Sequence, residues 1–162
     1  MRKSRQSGLT MIELLVVMAI IAIVAAMATA NYFLALNRAK QKRTVADIRV
    51  IALAWEARAV DTQSYRTSGF TFPAEHISYT TLRDALVPTY TRILPEFDGW
   101  KRPLEYGFDS EGGGPGSYSI RSAGRDGIFE DTVINGTTND MDCDIVFSNG
   151  SFVQYPETMQ SN

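Results

Sequence analysis

From Leu14 to Ala30 the chain runs for 17 residues without a charge, a Gly or a Pro. As a helix rising about 1.5 Å per residue it spans roughly 26 Å, close to the hydrocarbon thickness of a bilayer. Beyond Ala30 the pattern changes. Tyr32, Phe33, Leu34, Leu36, Val45, Ile48, Ile51, Ala52, Trp55 and Ala59 recur by threes and fours among Arg38, Lys40, Lys42, Arg43, Asp47, Arg49 and Glu56, an amphipathic helical period. No Gly lies between Gly8 and Gly69 and no Pro before Pro73. One helix over residues 9–60, about 78 Å long, is therefore predicted. Such a rod, apolar at one end and one-sided at the other, calls for other copies of itself to cover its first half.

The remainder reads as short elements. Residues 61–77, polar and aromatic with Gly69 and Pro73, form a connecting loop. Thr81 to Val87 predicts a short helix capped by Thr81, with Asp84 in its first turn and Pro88 as its stop. Leu104, Tyr106 and Phe108 alternate with Glu105 and Gly107, a strand pattern, and Tyr118 to Arg121 is a second strand. Gly112-Gly113-Gly114-Pro115-Gly116 is a turn that lacks the Lys and Ser/Thr of a phosphate-binding loop. Strands at Asp144–Phe147 and Ser151–Tyr155 flank Asn149-Gly150, the pair that best tolerates the positive φ of a tight hairpin. The fold class that follows is α+β, a long N-terminal helix packed on a small antiparallel sheet.

Composition narrows the function. The 162 residues carry 16 basic and 18 acidic side chains, with no basic stripe of the kind that tracks nucleic acid. Three of the basic residues, Arg2, Lys3 and Arg5, precede the apolar run, and a positive flank stays cytoplasmic, which sends the chain after Ala30 to the opposite side. The lone Cys143 permits no internal disulfide and reads as a small buried hydrophobe. His76, without a second His or a Cys pair nearby, reads as a loop residue. Nucleophile elbow, zinc spacing and dinucleotide fingerprint are all missing, so no enzyme is indicated.

Two readings of the N-terminus compete. Ala26-Met27-Ala28 and Ala28-Thr29-Ala30 satisfy the cleavage pattern of a secretory signal peptide, which would release a soluble periplasmic enzyme or binding protein. Against that stands Glu13, an ionisable group in an apolar segment, where such groups are costly and suspect as functional. The predicted helix also continues past the cleavage pattern. Ser7-Gly8-Leu9-Thr10-Met11-Ile12-Glu13-Leu14-Leu15-Val16-Val17 resembles the class III signal of type IV pilins and type II secretion pseudopilins. The resemblance implies a leader at residues 1–8, cleavage between Gly8 and Leu9 by a prepilin peptidase, N-methylation at Leu9, and assembly through Glu13 paired with a neighbour's new amine. Leu9 stands where the family usually has Phe, and Ala30 where it commonly has Pro.

The likeness extends into the second half. Leu86-Val87-Pro88, Tyr90, Ile93-Leu94-Pro95, Asp98, Trp100, Pro103 and Tyr106 follow the order of the major pseudopilins of type II secretion, with Lys101 in place of that family's Gly. Ser122-Ala123-Gly124-Arg125-Asp126-Gly127 is similar to its Ser-x-Gly-Ala-Asp-Gly loop. That loop binds calcium in the family, and the resemblance implies Asp126, Asp142 and Asp144 as ligands with the carbonyls of Ala123 and Ile128. Asp140 joins them from charge alone, since dispersed acids in a turn-rich loop suit Ca²⁺.

By the same resemblance, residues 9–60 form the helix, with 9–30 in the membrane and then the filament core, and residues 61–162 form the globular domain. The implied role is a structural subunit of a type II secretion pseudopilus. It would be anchored once in the bacterial inner membrane with its C-terminal domain in the periplasm, then carried into a periplasmic filament. The implied partners are further copies of the chain, minor pseudopilins, the prepilin peptidase and methylase, and an inner-membrane platform with its ATPase. A type IV pilus subunit for adhesion, motility or DNA uptake is the alternative.

Overall fold

The computed structural model describes residues 8–65, 76–109, 116–130 and 132–159. One helix, α1, runs unbroken over Met11–Thr62, as the absence of Gly and Pro allows. The Ala26-to-Ala30 cleavage pattern therefore sits inside continuous helix. The chain divides into two units between Leu36 and Asn37. In the first, the large apolar side chains of α1 are exposed throughout, from Met11 to Leu36.

The second unit contains the rest of α1, a short helix α2 (Tyr79–Leu86) and five strands: β1 (Glu105–Asp109), β2 (Ser117–Ser122), β3 (Gly136–Thr138), β4 (Ile145–Ser148) and β5 (Ser151–Pro156). The strand order is β1-β2-β4-β5-β3. β1, β2, β4 and β5 pair antiparallel, and Asn149 (φ 47°) and Gly150 (φ 86°) make the two-residue turn between β4 and β5. β3 corrects the all-antiparallel expectation. It pairs parallel to β5, so the sheet is mixed. A parallel neighbour needs a long return connection, which here includes β4.

The core is built on two periodicities. Val45, Ile48, Ala52, Trp55 and Ala59 line one face of α1. Tyr106 and Phe108 of β1, Tyr118 and Ile120 of β2, and Ile145 and Phe147 of β4 meet that face, with Leu82 and Leu86 of α2 closing one side. Trp55 lies 4.8 Å from the Tyr118 ring, centroid to centroid, and its indole N–H donates to the Tyr65 carbonyl at 2.7 Å. The Tyr118 hydroxyl donates to Glu56; burial first, then that carboxylate, pushes the phenol's pKa well up. A half-exposed helix carboxylate thus holds a core tyrosine.

Asp98 ties the segment before β1 to this core. Its carboxylate accepts from the Trp100 and Arg102 backbone N–H groups at 2.8 and 2.9 Å and from the Ser122 hydroxyl at 2.8 Å. A buried charge tolerates its desolvation only when so paired. The turn brings Gly99 against α1, where its N–H donates to Thr44 Oγ1 at 2.9 Å and a Cβ would strike the Lys40 backbone. Lys101 completes the turn at φ 65°, a conformation that Gly adopts freely and a side chain resists.

Smaller expectations shift as well. The cap of α2 is Ser78, whose hydroxyl accepts from Thr81 N–H at 3.2 Å, so Thr81 lies inside the helix and Asp84 outside its first turn. Cys143 is half-buried rather than buried. The middle of the 61–77 loop, most of the Gly112–Gly116 turn and the leader before Gly8 lie outside the described residues.

Candidate functional site

The N-terminal motif begins in extended chain. Gly8, Leu9 and Thr10 are exposed and precede the first helical turn. A side chain at Gly8 would meet nothing within 4 Å, so the chain's own packing makes no demand for Gly there. Glu13 sits in the first turn of α1. Its N–H donates to Thr10 Oγ1 at 3.3 Å, and its carboxylate accepts from Thr10 N–H at 3.4 Å. This is the reciprocal capping box of T-x-x-E, with the charge at the favoured end of the helix dipole. The sequence reading missed it, although Thr10-Met11-Ile12-Glu13 spells it out. Both bonds are long and exposed, so the box gives Glu13 a resting place without committing it.

The helix that follows is long and apolar enough to cross a membrane, and none of its most apolar 18-residue window is buried in the structure. Such a surface fits membrane anchoring.

The acidic loop is ordered mainly by two arginines. Gly124 (φ 61°) and Gly127 (φ 75°) shape the turn that holds Arg125, and Arg125 N–H donates to the Met141 carbonyl at 2.9 Å. The Arg125 guanidinium grips Asp142 with Nε and Nη2 at 2.7 and 2.5 Å. That bond holds the Asp142 carboxyl below the usual carboxylate range. Arg121 on β2 donates through Nε to Asp144 Oδ2 at 2.5 Å and through Nη2 to the Glu130 carbonyl, with its guanidinium 4.8 Å over the Phe129 ring. Asp144 is buried, and desolvation pushes its pKa up against the pull of the Glu130 N–H and Arg121. Gln154 on β5 continues the network, accepting from Ile134 N–H at 2.7 Å and donating to Glu130 at 3.0 Å.

Asp126 and Asp140 each close a turn on a backbone N–H two residues along, at Ile128 and Asp142, both at 3.0 Å. The Ala123 carbonyl accepts from Gly127 N–H at 3.1 Å. Among the described residues no three His, Cys, Asp or Glu side chains are gathered for a metal ion. The sequence-predicted acids thus share one loop, but each faces its own partner. His76 is exposed, with Nδ1 3.1 Å from Glu105 Oε1.

Comparison with known proteins places these features. The family described as the prokaryotic N-terminal methylation motif matches residues 3–29. The type II secretion system core protein G of Klebsiella michiganensis is 28% identical over 134 residues, which cover 79% of this chain and 89% of that protein. No solved structure matches. The N-terminal motif, the α+β layout of long helix and small sheet, and the similarity along most of the chain together support a pseudopilin-like type IV pilin.

Proposed function

We propose that this chain is a structural subunit of a type II secretion pseudopilus. Cleavage between Gly8 and Leu9 and N-methylation of Leu9 convert the membrane-anchored precursor into an assembly-ready subunit. Its C-terminal domain stands in the periplasm, and a membrane platform driven by an ATPase lifts α1 from the bilayer into the core of a filament shared with minor pseudopilins. The observation that carries this reading is the unbroken apolar surface of α1 directly behind a methylation motif. The likeness to core protein G supports the secretion pseudopilus over a pilus, and a single Cys leaves no intrachain disulfide loop.

Glu13 gives the assembly its register. Cleavage creates a charged amine at Leu9, and in an apolar bundle a carboxylate and an amine from adjacent subunits satisfy one another, whereas either alone is costly. The capping box holds Glu13 until that partner arrives. Glu13→Ala therefore leaves processing largely intact and abolishes filaments, read by immunoblot for the mature form and by electron microscopy of sheared fractions. Normal filaments from this variant would defeat the pairing.

A further inference from the structure

Calcium takes six to eight oxygens at one point, and five of the eight carboxylate oxygens of Asp126, Asp140, Asp142 and Asp144 accept hydrogen bonds elsewhere. Both Asp142 oxygens accept from Arg125. One oxygen each of Asp126 and Asp140 closes a backbone turn. Asp144 Oδ2 accepts from Arg121 and from Glu130 N–H. Asp144 Oδ1 is left buried without a hydrogen-bond partner among the described residues, but one such oxygen does not make a calcium site. The donor set in this arrangement does not fit the ion.

What Asp142 holds instead is a guanidinium. Arg125 is stabilised in its charged form by Asp142 first, and then by Asp140 and Asp126. Its place is fixed by the backbone. A Cβ on Gly124 would strike the Asp142 and Cys143 carbonyls at 2.6 Å, so the turn is pressed directly onto the segment that carries Asp142. Arg125 also falls where the similar loop pattern has Ala. We propose that Arg125 occupies the cation position of this loop, so that the two ends of the connection between β2 and β4 are fastened to each other by a fixed guanidinium–carboxylate pair and not by a metal ion. Arg121 completes the fastening at Asp144. A rigid fork of donors suits a bidentate carboxylate, and a cation built into the chain is not removed by chelation.

The test uses the full chain in detergent micelles, melted in millimolar CaCl₂ and in EGTA. The wild type is expected to melt at the same temperature in both. Arg125→Ala leaves Asp142 without its guanidinium partner and is expected to melt several degrees lower in EGTA than the wild type, with CaCl₂ restoring part of the loss. A wild-type melting temperature higher in CaCl₂ than in EGTA would overturn the proposal, as would an Arg125→Ala variant that melts with the wild type in EGTA. Should that variant fail to fold, calorimetry on the wild type decides: saturable heat on adding CaCl₂ contradicts the proposal, and its absence supports it. None of these readouts depends on filament formation, so the assembly role stands or falls separately.

Discussion

The two units of this chain use the same apolar side chains under opposite rules. In the first, Ile21 is 61% exposed among neighbours that are equally bare; in the second, Ile51 is 0% exposed. Both residues belong to one continuous helix, so local propensity does not separate them. The second unit finishes its core with its own sheet. The first carries an exposed apolar surface, which is what the proposed passage from membrane to filament requires.

The sharpest way to break this contrast is to make one substitution in both halves. Ile51→Ala removes a buried side chain at a site boxed in by helix and sheet and costs about 2–5 kcal/mol, seen as a large drop in melting temperature by circular dichroism in micelles. Ile21→Ala changes stability by no more than about 0.5 kcal/mol, so that temperature barely moves. Equal effects at the two sites would show that the first unit has a core of its own. A smaller change sharpens the picture of the second unit. Lys101→Gly relieves a left-handed backbone and raises stability by about 0.5–1 kcal/mol, measured by denaturant unfolding; a loss of stability would mean that the lysine side chain outweighs the backbone strain.

Much of the fold was legible because it rests on local rules. The long helix follows from the missing Gly and Pro, the hairpin from Asn149-Gly150, and β1 from the alternation of Leu104, Tyr106 and Phe108. β3 was not legible. Three residues in a polar loop give no period, and their partner β5 is chosen by tertiary contacts such as Gln154 with Ile134 and Glu130. The hub at Asp98 was likewise hidden, since its ligands come from the turn after it and from Ser122 on β2, distant in sequence. The Ser78 cap was missed by three residues, because Thr81 offers the same chemistry.

The candidate site divides along the same line. Gly8, Leu9 and Glu13 are adjacent in sequence, so the motif shows itself whole, and even the Thr10 cap was there to be read. The acidic loop shows only its charges. Counting Asp126, Asp140, Asp142 and Asp144 points to a cation, but which cation depends on where Arg121 and Arg125 reach. Their positions come from the strand and from a glycine-bracketed turn.

The proposed role turns on what happens at the Gly8–Leu9 peptide bond. Mass spectrometry of the N-terminal peptide from protein purified out of its native membrane reads that directly. The predicted result is a mature chain beginning at N-methylated Leu9. A chain beginning at Thr29 or Asn31, cut as a secretory signal would be, or one retaining Met1 to Gly8 throughout, would contradict it.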